Sequence, residues 1–223
     1  MSTYIVYMMR LKYILRIRNV LCIVFIFIAI SSAAYIVQWE DSITKRIKIR
    51  EELCMQGAEE FADDILEDVR CFPVKDDRGK AFCVYEDGYG DGRTFGGKRR
   101  HEGIDIMSSN NVPGYFAVQS VSDGIVEKKG WLKLGGYRIG IRSNNGIYYY
   151  YAHLDSYKPD IKTGDRVKAG DILGYMGDTG YGAEGTRGKF DVHLHFGIYI
   201  NKSDGEKSVN PYNILRYIEG YTD

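Results

Sequence analysis

The chain has 223 residues with 30 basic and 30 acidic side chains, so its formal charge is zero. That balance argues against a dedicated nucleic-acid binder, whose phosphate contacts demand a strongly basic face, and the length allows one domain plus extra segments with ample chain to bury a core. The 26 glycines and 19 tyrosines, against only 4 prolines, suggest a turn-rich β domain, because tyrosine suits strands and glycine suits the tight corners between them. None of Cys22, Cys54, Cys71 and Cys83 forms a Cys-x-x-Cys pair, which argues against a structural thiolate zinc site.

Residues 1–19 carry Arg10, Lys12, Arg16 and Arg18 without an acid, and residues 20–37 follow without any charge. Eighteen helical residues span about 27 Å, close to the ~30 Å hydrocarbon thickness. The sequence therefore predicts a cytoplasmic basic N-terminus at 1–19 and a single transmembrane anchor from Val20 to Val37. A signal peptide cleaved after Ala34 is the rival, since Ser32, Ala33 and Ala34 are small, and it would make the product secreted. Lys45, Arg46, Lys48 and Arg50 balance the upstream basic residues, so charge asymmetry favours this orientation only weakly. From Ile43 to Val69 the residues Ile43, Ile47, Cys54, Ala58, Phe61, Ile65 and Val69 recur at helical spacings. They predict a juxtamembrane helical stalk over 38–71, its stripe free to dimerise or to pack back onto the domain. Outside the cell, Cys54, Cys71 and Cys83 allow one disulfide with three pairings, or three reduced thiols.

Residues 84–100 are glycine-rich and end in the basic triplet Lys98-Arg99-Arg100, which predicts an irregular solvated loop, with attraction to an anionic polymer as the alternative. Strands are expected at 115–121, 124–128, 137–143, 147–153, 166–169, 171–176 and 192–200. Asn145-Gly146 marks a hairpin, because both residues tolerate positive φ. A short terminal helix is expected at 213–218. Short strands at this spacing indicate a mainly β domain over 72–223, an antiparallel sandwich or barrel.

The last strand concentrates the chemistry. Val192, Leu194, Phe196, Ile198 and Ile200 alternate with His193, His195, Gly197 and Tyr199, the period of a half-buried strand. His193 and His195 thus share a face roughly 6 to 7 Å apart, so one imidazole can hold a metal while the other reaches a molecule bound there. The remaining histidines are His101, four residues before Asp105 with Gly103 between them, and His153, which ends the tyrosine-rich strand. Two imidazoles and one carboxylate with a fourth position open form a catalytic zinc ligand set.

Three motifs, His101-x-x-x-Asp105, Tyr151-Ala152-His153-Leu154 and His193-Leu194-His195-Phe196, with the glycine-punctuated stretch 163–180 between the last two, resemble the lysostaphin/LytM-type zinc endopeptidases of peptidoglycan. The resemblance covers roughly Gly96 to Ile200. It implies that His101, Asp105 and His195 bind Zn2+ and that His153 and His193 are the catalytic pair, one as general base and the other at the oxyanion or the water. It also implies an enzyme acting on amide bonds in peptidoglycan stem or cross-bridge peptides; with the apolar run 20–37 as anchor, the domain is expected outside the cytoplasm, bound to the membrane through its N-terminal helix, with control by a regulatory protein partner left open. A non-catalytic wall-binding or assembly module on the same scaffold is the alternative, and retention of all five site residues argues against it. Glu102 lacks the helical His-Glu-x-x-His setting of other zinc proteases and reads as solvated. The tyrosines at 148–151 read mostly as strand packing, with Tyr149 and Tyr151, on the face of His153, as candidates for lining a groove. The chain departs from the family pattern in its long link 181–188, in Val192 where proline is common, and in Gly197 where an acid is frequent.

Overall fold

The computed structural model describes residues 2–75, 79 and 81–219, without the side chains of residues 2–7 and 9–15, so Arg10 and Lys12 lie outside the described side chains. Helix α1 (Ser2–Met55) begins the chain, which divides into two compact units, Met1–Ile47 and Lys48–Asp223. In the first unit every residue from Val20 to Val37 is exposed, including Phe25 at 70% and Phe27 at 71%. The described stretch Arg16–Met55 holds a segment long and apolar enough to cross a membrane. A run of apolar side chains that no protein covers is suited to the hydrocarbon of a bilayer.

The second unit starts with the last turns of α1. One helix over 43–69 is the expectation from sequence; instead α1 stops at Met55, a 3-10 turn follows at Glu59–Phe61, and α2 runs from Ala62 to Asp68. Gly57 adopts φ +69° at the break, a left-handed conformation that glycine takes without steric cost. The break resets the helical phase. Ile49, Leu53, Ala58, Ala62, Ile65, Leu66 and Val69 are buried, while Ile47 and Cys54, two members of the expected stripe, are exposed. The buried residues join the same hydrophobic cluster as the sheet, so 48–71 pack back onto the domain. Burial of a leucine such as Leu53 contributes about 1.5–3 kcal/mol. Asp68, at the end of α2, accepts hydrogen bonds from the Tyr149 hydroxyl (3.2 Å) and from Asn145 Nδ2 (3.1 Å), which ties the helix to the sheet.

The strands are β1 (Val74–Lys75), β2 (Cys83–Val84), β3 (Gly92–Arg93), β4 (Arg99–Arg100), β5 (Ile104–Ser108), β6 (Ala117–Gln119), β7 (Gly124–Leu132), β8 (Gly136–Ser143), β9 (Tyr148–Tyr157), β10 (Arg166–Val167), β11 (Ile172–Met176), β12 (His193–Lys202) and β13 (Gly205–Val209), followed by α3 (Tyr212–Glu219). Strands β3 and β4 pair with each other, and the other eleven form one sheet with the path β1-β6-β11-β9-β12-β5-β2. Every strand pairing is antiparallel, and the sheet branches at β9, which also pairs with β8. The mainly antiparallel β class expected from sequence is the class observed. Six strands, β1 to β5 and β13, are absent from that expectation. β13 is a polar edge strand, Gly-Glu-Lys-Ser-Val, with no apolar alternation to announce it.

Two local features differ in detail. In the β8–β9 hairpin only Gly146 takes positive φ (85°), and Ser143 N donates to Ile147 O, so the turn holds three residues with glycine at the left-handed position. In β9 the tyrosine parity is reversed: Tyr149 and Tyr151 are fully buried, and Tyr148 and Tyr150 line the cleft. His153 lies at φ +62°, and the register slips beside it, from Ile139↔Tyr151 to Tyr137↔Leu154. Such a bulge breaks strict alternation. It turns Ala152 and His153 both toward the cleft, so parity counted back from His153 puts the tyrosines on the wrong face. Cys22, Cys54 and Cys71 are free thiols, and Cys71 Sγ donates to Ser120 O at 3.2 Å.

Candidate metal centre and the cleft around it

The alternation read in β12 is borne out in its apolar half. Val192, Leu194, Phe196, Ile198 and Ile200 are each at most 2% exposed, which pins the register of the strand and fixes the opposite face toward the cleft. His195 is the direct cross-strand partner of Asp105 on β5, and that pairing brings the imidazole and the carboxylate together through backbone geometry alone. His101 precedes β5 in a short non-strand segment. Its own N–H donates to Asp91 O (2.9 Å) and its carbonyl accepts from Gly90 N (2.8 Å), so the chain ahead of it clamps it in place. Gly103 permits the approach: a Cβ there would lie 2.5 Å from Phe196 O and 2.8 Å from His195 Nε2.

Three ligand-type atoms converge as a result. His101 Nε2 lies 2.9 Å from His195 Nδ1 and 3.0 Å from Asp105 Oδ1, and His195 Nδ1 lies 3.0 Å from the same oxygen. Among the described residues, His101, Asp105 and His195 form the one such grouping suited to a metal ion. His101 Nδ1 faces the Gly88 carbonyl at 2.9 Å, and a carbonyl can only accept, so Nδ1 carries the proton and Nε2 presents a lone pair. Three electron-rich atoms then face one another with too few protons to satisfy them, whereas a single cation satisfies all three. Their spacing is near the roughly 3.3 Å separating tetrahedral ligands held 2.0–2.1 Å from one ion. The residues present fit zinc.

Charge supports the same grouping. Burial opposes ionisation of Asp105, but the imidazoles of His101 and His195 beside its Oδ1 outweigh it and hold the carboxyl well below the usual carboxylate range. Burial lowers His195 as well, against the opposing pull of Asp105. The other carboxylate oxygen, Asp105 Oδ2, accepts from Arg93 Nη2 at 3.2 Å. Arg93 Nη2 also approaches His101 Nδ1 at 2.9 Å, where the proton already present leaves it no lone pair. Arg93 thus steadies the carboxylate while leaving Oδ1 to the centre. Sequence reasoning missed it, because β3 sits in a stretch that reads as an irregular loop.

His153 and His193 stand beside this triangle with ring centroids 4.7 Å apart. Each is oriented through Nδ1: His153 donates to Thr179 O and His193 to Asp191 O, both at 2.7 Å. Each therefore presents an unprotonated Nε2 when neutral. His193 Nε2 lies 3.8 Å from Asp105 Oδ1. Burial pushes His153 well below the ordinary imidazole range, and the neighbouring His193 and His195 add to the shift. Its left-handed backbone is a strained conformation held by the surrounding contacts, including its N–H to Gly135 O at 2.8 Å. Phe190 packs 4.6 Å from the His153 ring, and Tyr181 stacks on Phe95 at 4.2 Å, so the long link 181–188 helps build an aromatic wall. Glu102 is exposed, in keeping with its solvated reading. The whole cleft has a volume of about 880 Å³.

Comparison with known proteins matches this arrangement to one family. Residues 99–211, from just ahead of His101 to just beyond β13, match the sequence pattern of Peptidase family M23. The L-Ala–D-Glu endopeptidase of Bacillus subtilis (strain 168) is 47% identical over 137 residues, covering 61% of this chain and 41% of that protein. Lysostaphin of Staphylococcus simulans is 33% identical over 118 residues, covering 52% of this chain and 21% of that protein. This chain therefore spans less than half the length of these curated relatives. Among solved structures, a lytM protein of Ruminococcus gnavus ATCC 29149 superposes with a TM-score of 0.67 at 48% identity, covering 74% of this chain and 66% of that one. With every histidine of the chain gathered in the matched segment, together with nine of the eleven strands of the main sheet, the chain belongs to Peptidase family M23.

Proposed function

We propose that this chain is a membrane-anchored, zinc-dependent endopeptidase that hydrolyses amide bonds in peptidoglycan peptides. The observation that carries the reading is the convergence of His101 Nε2, Asp105 Oδ1 and His195 Nδ1 within 3.0 Å of one another, beside two further imidazoles whose Nε2 atoms are free. In this reading those three residues hold Zn2+, which when bound acts as a Lewis acid on a carbonyl and brings the pKa of a water to about 7.

The remaining steps belong to protein groups. His193 Nε2 takes a proton from the attacking water and returns it to the leaving amine. Its Nε2 lies 3.8 Å from Asp105 Oδ1, at the edge of the candidate centre. His153 is held further toward its neutral form by burial and positions the water through the Nε2 lone pair. The Thr179 and Asp191 carbonyls keep both rings in the required tautomer. Phe190 and Tyr181 exclude water from one side.

The higher identity to an L-Ala–D-Glu endopeptidase than to lysostaphin favours a stem peptide over a glycine bridge as substrate. Incubating the full chain with purified peptidoglycan and weighing the released muropeptides tests this. New alanine carboxyl and glutamate amine termini are expected, whereas termini confined to a cross-bridge, or none, overturn the assignment. The exposed apolar segment 20–37 supports the anchor. The full-length protein should sediment with membranes and its C-terminal unit should be cut by protease added outside protoplasts; a mature N-terminus at Tyr35 would replace the anchor by a cleaved signal.

A further inference from the structure

The cleft carries more positive charge than its own carboxylates neutralise. Arg93 is bound to Asp105. Glu206, which also lines the cleft, is taken up by Arg142 at 2.5 Å, and Asp191 accepts from Asn111 Nδ2 at 3.1 Å. The fourth lining carboxylate, Glu102, is exposed, and among the described residues three lining guanidiniums have no carboxylate partner: Arg100, whose Nη1 donates to the Gly90 carbonyl at 3.3 Å, and Arg138 and Arg99. Arg138, on β8, has its Nη1 buried without a hydrogen-bond partner among the described residues, and Arg99, on β4, has its Nε in the same condition. Arg99 Nη2 donates to the Tyr181 hydroxyl at 3.3 Å, a neutral acceptor. The charges of Arg138 and Arg99 both reach Tyr150, where each partly offsets the upward push of burial on the hydroxyl. Tyr150 stands 5.9 Å from the His195 ring, and both arginines line the same cleft as the candidate centre.

A guanidinium half-buried without an anion is costly, because its desolvation is not repaid. It becomes favourable when a carboxylate enters and accepts two parallel hydrogen bonds. We propose that Arg138, assisted by Arg99, forms the subsite for a carboxylate carried by the peptide substrate, so that the enzyme selects acidic peptides over their amidated or uncharged counterparts. This rests on the peptidase reading above and adds to it a specificity-determining residue. A glutamate joined onward through its side-chain carboxyl keeps a free α-carboxylate near the preceding amide bond, which is the group such a subsite suits. A glycine bridge has none. The basic triplet that reads from sequence as a solvated loop thereby contributes Arg99 to the cleft.

The test compares two synthetic stem peptides identical except that one carries D-glutamate and the other D-isoglutamine, whose α-carboxyl is an amide. Binding is measured by calorimetric titration of the full chain in detergent, as His193→Ala so that the peptide is not consumed, and hydrolysis is measured separately with the unsubstituted chain. The acid peptide should bind about 10- to 100-fold more tightly than the amide, the usual range for a charge-assisted pair. Arg138→Gln should bring that ratio close to one, and Arg99→Gln should lower it by a smaller factor. The ratio does not depend on how much protein is folded. Equal binding of the two peptides, binding of neither, or an unchanged ratio in Arg138→Gln overturns the subsite. Hydrolysis of neither peptide by the unsubstituted chain, with the binding preference intact, overturns the peptidase reading and leaves the subsite standing.

Discussion

Asp105→Ala and His195→Ala should each reduce the zinc content of the purified protein from about one per chain to near zero and take hydrolysis of peptidoglycan to background. The two residues are direct partners across β5 and β12, and each supplies one corner of a triangle with 2.9–3.0 Å sides. With three protein ligands in a catalytic site, loss of one leaves two, and two imidazoles without the carboxylate also lack the charge that offsets a divalent cation. Asp105→Asn sharpens the test, since it preserves shape and removes charge. Metal analysis and circular dichroism on the same preparations separate ligand loss from unfolding. Chelation followed by added zinc should restore the unsubstituted chain and neither variant. A variant retaining one zinc per chain would show that the ligands lie elsewhere.

His193→Ala should behave differently: zinc stays, and turnover falls about 10²- to 10⁴-fold, the usual contribution of a positioned general acid or base. Its imidazole lies outside the triangle, with Nε2 3.8 Å from Asp105 Oδ1, and its backbone N–H is held by Gly177 O at 3.1 Å independently of the ring. The strand and the ligands should therefore survive truncation. Because the His153 and His193 rings are 4.7 Å apart and serve one water in the proposed mechanism, their effects should not add. His153→Ala with His193→Ala should lose little more than the worse single variant. Full additivity of the two losses in turnover would mean that the residues act in separate steps. Loss of zinc in His193→Ala together with its retention in His195→Ala would exchange their roles.

These outcomes rest on features of unequal visibility in the sequence. The period-two pattern from Val192 to Ile200 reports which face of β12 is buried, because burial of alternate residues is a local property of a strand. The uncharged run from Val20 to Val37 reports a membrane-length helix for the same kind of reason. The helix 43–69 was harder to read: its spacings fit, but one glycine in the left-handed conformation resets the phase. A stripe extrapolated through such a residue selects Cys54 when Leu53 is the buried one.

By itself the sequence determined the β class and the apolar N-terminal helix, and it picked out His101, Asp105, His153, His193 and His195 as candidates, since these depend on periodicity and on motifs whose spacing survives in one dimension. Tertiary structure alone decided what surrounds them. The bulge at His153 turns Tyr148 and Tyr150, in place of Tyr149 and Tyr151, into the cleft. Arg93 reaches Asp105 across 12 residues of chain through the β3–β4 hairpin. Carbonyls of Thr179 and Asp191 set the imidazole tautomers, and a carbonyl is carried by every residue, so no side-chain pattern can mark the ones that matter. Arg99 and Arg138 come from strands 39 positions apart and meet one cleft only because β8 and β4 bring them there. Whether a cation is solvated or left without a partner is a property of the packed neighbours around it, and those neighbours are distant in the chain.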